Sequence, residues 1–126
     1  MIERIFTEIK ENLGQVRGVV NNASLFSFDD IGSISKDSWN RHMHVNALAP
    51  TLLIAELRRT IPSGKIGSVV NILDQKISHP NPDYLSYTAS RFAMAGLTET
   101  LARGLAPNIR VNACLLYTSP SPRDRG

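Results

Sequence analysis

The sequence predicts an α/β fold: a parallel sheet with helices packed against it. Two observations carry this. Short apolar, β-branched runs at 18–21, 66–73 and 108–113 read as buried strands. Long segments with helical periodicity alternate with them, and that alternation implies parallel strands joined by helical crossovers.

The elements follow in order. Ile2, Ile5, Phe6, Ile9 and Leu13 recur at helical spacing, which predicts an amphipathic helix over 2–14. Gly18-Val-Val-Asn21 is a short buried strand, and 23–35 is a loop with Gly, Ser and Asp. Ser35 is placed to N-cap a long helix over 36–60. Pro50 lies inside that helix and has no N–H to donate to the carbonyl of Asn46, so a kink is expected there. Pro62-Ser-Gly64 ends the helix, and the strand over 66–73 is followed by a loop over 74–83 that contains Pro80 and Pro82. A second long helix is expected over 85–106, ended by Pro107, and the third strand over 108–113.

Composition narrows the function classes. The chain has 126 residues, 42% hydrophobic and 20% charged, which fits one domain or part of one. A net charge of +3 without a basic run does not point to nucleic acid. No apolar stretch approaches the roughly 18 residues of a membrane helix, and the charged, amphipathic start does not read as a signal peptide. No nucleic-acid or membrane partner is expected, and the cytoplasm is the expected location. Cys114 is the only cysteine, so no internal disulfide or cysteine metal site is expected. His42 and His44 are two apart on a helix and point differently, and His79 lies in a proline-rich loop. All three read as structural, and no metal site is expected. Trp39, Leu48 and Leu52 read as ordinary helix packing.

From Cys114 the periodicity stops. Residues 114–124 resemble the translation of a sequencing-library transposon adaptor. The expected organisation is therefore a domain segment over 1–113 and a non-native tail over 114–126.

Candidate chemistry sits at strand ends, because open parallel sheets bind ligands beyond the carboxyl ends of their strands. That rule selects residues 22–26 and 73–75. Tyr87 and Arg91 are four apart on a predicted helix and share a face. A phenol titrates near ~10 and is a poor proton donor at neutral pH unless perturbed. A neighbouring cation favours the phenolate, so such a pair can pass a proton to a substrate that receives a hydride from a cofactor.

Taken together these segments resemble the short-chain dehydrogenase/reductase family. Asn21-Asn-Ala-Ser24 is similar to its Asn-Asn-Ala-Gly motif, Val45-Asn46 to its helix asparagine, and Val69-Val-Asn-Ile72 to its next strand. Tyr87 to Arg91 is similar to its Tyr-x-x-x-Lys, and Ile109-Arg-Val-Asn-Ala113 to the strand that follows. The resemblance covers essentially all of 1–113. It implies part of a Rossmann-like, doubly wound parallel sheet, lacking the first strands and the last. It implies Tyr87 as proton donor with Arg91 and Asn46 in the catalytic machinery, the Asn46 carbonyl holding a relay water. It implies Asn22, Ala23, Ser24, Ile72, Tyr87 and Arg91 as cofactor contacts.

Departures from the family pattern narrow the branch. Asp74 stands where a serine is usual, and Ser24 where a glycine is usual. Both are similar to the pteridine reductase branch, in which an aromatic residue at the position of Phe26 sandwiches the pterin ring against nicotinamide. The branch implies Ser24, Phe26, Asp74 and Tyr87 as substrate contacts and NADP(H) as cofactor, with NAD(H) the alternative. A carboxyl at 74 could supply a proton if burial raised its pKa. Arg91 replaces the family's lysine and has a different shape, so altered or reduced catalysis is expected. No Thr-Gly-x-x-x-x-x-Gly turn occurs, and the family places it before the first strand seen here. The expected protein is thus a segment of a reductase of pteridine-type substrates, with a homo-oligomeric parent. A carbonyl reductase or alcohol dehydrogenase of the same family, and a non-catalytic nucleotide-binding or inactive member, are the alternatives.

Overall fold

The computed structural model describes residues 1–74 and 82–116, the side chains of Asp74 and Leu116 excepted. The expected elements form in the expected order. They are helix α1 (Ile2–Asn12), strand β1 (Gly18–Asn21), helix α2 (Lys36–Met43), helix α3 (Ala49–Thr60), strand β2 (Gly67–Asp74), helix α4 (Leu85–Leu105) and strand β3 (Ile109–Leu116). The three strands are parallel in the order β1-β2-β3. This is the predicted α/β, Rossmann-like arrangement.

Sequential strands joined by right-handed crossovers put their connecting helices on one face of the sheet. The burial pattern agrees. Gly67, Val69, Asn71 and Leu73 of β2, with Ile109 and Val111 of β3, are buried, whereas their alternating neighbours are more open. Ile54 and Leu57 of α3, Met94 of α4 and Phe6 of α1 complete this core. Leu57 is fully buried, and its truncation to alanine would cost about 2–5 kcal/mol. Gly67 lies close against the residues where α3 ends, so a side chain there would press on Ile61. A Cβ there would meet Ile61 Cδ1 at 2.8 Å and Ile109 Cγ1 at 3.3 Å.

A polar chain, half-buried at Asn21 and buried at Asn71 and Thr98, crosses the same layers. Asn21 Nδ2 donates to Asn71 Oδ1 at 2.8 Å, Asn71 Nδ2 to Thr98 Oγ1 at 2.9 Å, and Thr98 Oγ1 to the Met94 carbonyl at 2.7 Å. Asn21 and Asn71 are register partners in the ladder. The buried Asn71 amide and the half-buried Asn21 amide therefore meet each other, and a slip of register would separate them.

Ser35 caps α2 as predicted, its side chain accepting from Ser38 N at 3.0 Å. The expected kink near Pro50 takes a specific form. Residues His44–Leu48 make one π-helical turn between α2 and α3, with Ala49 N donating to the His44 carbonyl. A π turn absorbs one extra residue and re-registers the ladder beside the missing proline donor.

Two strand ends differ from the sequence reading. Asp74 closes β2 rather than opening a loop, and β3 runs to Leu116 instead of ending at Ala113. The β3 extension pairs with the end of β2, Cys114 opposite Ile72, Leu115 opposite Leu73 and Leu116 opposite Asp74. Ladder bonds use backbone groups, so each strand prolongs the other whatever its side chains. Leu48, Leu52 and Trp39, expected as packing residues, are 47%, 45% and 39% exposed. Only the stripe with Ile54 and Leu57 faces the sheet. No helix among the described residues is long and apolar enough to cross a membrane.

Candidate active site

Tyr87 lies in the first turn of α4 and Arg91 one turn later, so the helix presents both on one face. Arg91 Nε donates to the Tyr87 hydroxyl at 3.1 Å, and Nη1 donates to the Ile72 carbonyl, near the end of β2, at 3.4 Å. The guanidinium carbon is 5.3 Å from the Tyr87 ring centroid. Both residues are buried. The phenol oxygen thus accepts a hydrogen bond from a cation, an arrangement in which a nearby positive charge can favour the phenolate.

Phe26 meets the same turn of α4. Its ring stacks on Tyr84 at 4.3 Å and 17°, and stands edge-to-face with Tyr87 at 4.6 Å and 85°. Phe28 adds an edge-to-face contact with Tyr84 at 6.2 Å. Such pairs are each worth about 0.5–1.5 kcal/mol beyond area burial.

The backbone on each side of Phe26 is held by the helix opposite. Asn46 Oδ1 accepts from Leu25 N at 2.7 Å, and its Nδ2 donates to the Leu25 carbonyl at 2.8 Å and to Ser90 Oγ at 2.9 Å. Ser27 N donates to His42 Nε2 at 3.2 Å, while His42 Nδ1 lies 2.8 Å from the Ser38 carbonyl. That pattern assigns the proton to Nδ1 and leaves Nε2 as acceptor. His42 thus ties the loop after β1 to α2, a structural role. Asn46 does more than the sequence suggested: its side chain staples the loop after β1 to α4.

Asp29 is the residue that sequence reasoning missed. It is 2% exposed, and its carboxylate accepts from Ser38 Oγ, Ser86 N and Ser86 Oγ. Burial pushes this carboxyl up, but the hydrogen bonds from Ser38 and Ser86, with His42 nearby, outweigh it and hold the pKa below the usual value. No local signal could have found it, because Ser86 is 57 residues away in sequence. Tyr84 was also missed, although its spacing of three from Tyr87 places both rings on neighbouring positions of α4's start.

The structure thus brings Phe26, Asn46, Ile72, Tyr87 and Arg91 into one bonded cluster. Asn22, Ala23 and Ser24 are exposed just past the carboxyl end of β1. The Asp74 backbone sits at the carboxyl end of β2, and its side chain lies outside the described residues, as do Gln75 and His79.

A sequence profile described as short chain dehydrogenase matches residues 1–122. The chain belongs to the short-chain dehydrogenase family. Among other members of that family, human dehydrogenase/reductase SDR family member 4 is 33% identical over 115 residues, covering 90% of this chain and 41% of that protein. Two solved structures of the FolM alternative dihydrofolate reductase 1, from Brucella canis and Brucella suis and both with NADP, superpose with a TM-score of 0.88. They are 38% and 40% identical and cover 98% of this chain. The chain spans 51% of each of those chains, about half the length of these relatives.

Proposed function

We propose that this short-chain dehydrogenase reduces pteridine-type substrates, dihydropterin or dihydrofolate, with NADP(H). The observation that carries the reading is the Tyr87–Arg91 hydrogen bond beside an aromatic wall made by Phe26 and Tyr84. Support comes from the likeness to two alternative dihydrofolate reductases solved with NADP.

The donor set fits a dinucleotide: a buried cation and a phenol lie at the carboxyl end of a parallel strand, where sugar hydroxyls and a nicotinamide ring would be held. Asn22, Ala23, Ser24 and Ile72 supply the remaining contacts. The bound cofactor supplies the hydride. Tyr87 supplies a proton to the ring nitrogen of the substrate, assisted by Asp74. Arg91 stabilises the phenolate left behind. Phe26 and Ser24 orient the flat ring, and the Asn46 carbonyl holds the relay water. The proposal takes 1–113 as the domain segment and 114–126 as adaptor-derived, which resequencing the gene on both sides tests. The exposed Leu48, Leu52 and Phe92 on the long helices are assigned to a homo-oligomer contact in the intact protein.

The test is NADPH oxidation by the intact gene product with dihydrobiopterin, dihydrofolate and a panel of ketones. Turnover of the pteridines is expected. Turnover of ketones alone would replace this reading with a carbonyl reductase. Arg91 in the lysine position favours one further reading, a non-catalytic nucleotide-binding member. Absence of turnover in both the natural form and Arg91→Lys would favour it.

A further inference from the structure

Helix α4 takes capping bonds from outside its own segment. Tyr84, at the N-cap position, makes no side-chain capping bond. Asp29, in the loop after β1, takes the first donors instead. Leu85 N donates to the Asp29 carbonyl at 3.1 Å and Ser86 N to Oδ1 at 2.9 Å. Ser86 Oγ donates to Oδ2 at 2.5 Å, and Ser38 Oγ, from α2, reaches the same oxygen at 2.6 Å. The Asp29 backbone also forms a parallel bridge with Tyr84. A carboxylate is the preferred charge at a helix N-terminus, where it satisfies donors the helix cannot.

A cap supplied locally would hold the helix alone. This one comes from the segment that carries Phe26, and it lands on the turn that carries Tyr84 and Tyr87. One carboxylate therefore joins both sides of the 4.6 Å contact between Phe26 and Tyr87. We propose that Asp29 is a positioning residue: by capping α4 from the loop after β1, it locks the proton donor Tyr87 and the ring-binding Phe26 into a single unit. The inference rests on the roles given above to Tyr87 and Phe26. A substrate ring laid against Phe26 then meets the Tyr87 hydroxyl in constant geometry, and misplacement by about 1 Å can cost roughly a hundredfold in rate.

The test compares Asp29→Ala, Asp29→Asn and Asp29→Ser with Thr98→Val, which removes a buried bond elsewhere in α4. Two readouts are taken: the cross-ring nuclear Overhauser effect between Phe26 and Tyr87 in the full chain, and kcat and KM for dihydrobiopterin in the intact gene product. Asp29→Ala is expected to lose the cross-ring signal and to lower kcat roughly tenfold to a hundredfold. Asp29→Asn keeps an acceptor for Ser86 N and amide donors toward the serine hydroxyls, so it should keep the signal and most of the rate. Asp29→Ser, which can still cap but cannot span Ser38 and Ser86 together, should fold and show a weakened signal. Thr98→Val should melt earlier with the signal and kcat intact. An Asp29→Ala or Asp29→Ser protein that melts earlier yet keeps both the signal and kcat overturns the inference, as does an Asp29→Asn protein as impaired as Asp29→Ala. If the unaltered protein reduces no pteridine, the functional reading fails on its own, and the cross-ring signal alone decides the role of Asp29.

Discussion

Removing the Asn46 side chain is the perturbation whose cost can be worked most directly from the structure. Asn46 is 1% exposed and makes three hydrogen bonds, two to Leu25 and one to Ser90. Asn46→Ala deletes all three. Each bond contributes a net of about 0.5–1.5 kcal/mol, and groups left buried without partners cost more. Leu25 is only partly buried, so water can reach part of what is lost, and Ser90 Oγ keeps its bond to the Tyr87 carbonyl at 2.7 Å. The expected loss is about 2–4 kcal/mol, a large share of the ~5–15 kcal/mol that holds a domain folded. Urea denaturation followed by Trp39 fluorescence would measure it. Asn46→Asp should lose a similar amount at neutral pH, because Oδ1 still accepts from Leu25 N but nothing is donated to the Leu25 carbonyl. A loss below about 0.5 kcal/mol in Asn46→Ala would refute the idea that this side chain staples the loop to α4.

Other outcomes follow from the same geometry. Asp29 has a folded pKa below its usual value, so the unfolded chain binds more protons in the window between the two. Its stabilisation is complete above the ordinary aspartate range and is lost as pH falls through the folded value. Acid titration of the melting temperature should therefore show a smaller decline in Asp29→Asn than in the natural chain, and identical slopes would count against it. Arg91→Met, which removes the donor to Tyr87, should lower kcat by roughly a hundredfold, whereas Arg91→Lys, which restores the family's residue, should raise the rate above the natural form. Equal kcat values for the natural form and Arg91→Met would show that the guanidinium does not serve the proton donor. Phe26→Ala should raise KM for dihydrobiopterin about tenfold, reflecting one lost aromatic contact, and an unchanged KM would remove Phe26 from the substrate site.

The parts of the molecule legible in the sequence are those set by local periodicity. The apolar runs at Val19, Val69 and Val111 mark strands because their neighbours along the chain alternate or vanish into helices. Tyr87 and Arg91 could be paired on sight because four residues make one helical turn, and the bond is there. Pro50 announced a fault in the helix, since its missing N–H is a property of the residue. How the backbone would re-register, as a π turn over His44–Leu48, depends on the packing of both flanking helices. Asp74 looked like the start of a loop because it is polar, yet the partner strand offers ladder positions that prolong β2 through it. Asp29 was invisible for a different reason. Its worth comes from three serine groups on α2 and α4, and no pattern in the residues around Asp29 encodes where those helices begin.

If Tyr87 is the proton donor of a pteridine reductase, removal of its hydroxyl tests that role most directly. NADPH oxidation by the intact gene product is measured with dihydrobiopterin for the natural form and for Tyr87→Phe, which keeps the ring and its contact with Phe26 but removes the hydroxyl. Steady turnover in the natural form and a loss of at least about a hundredfold in Tyr87→Phe are expected. A Tyr87→Phe protein that reduces dihydrobiopterin at the natural rate would show that Tyr87 is not the proton donor.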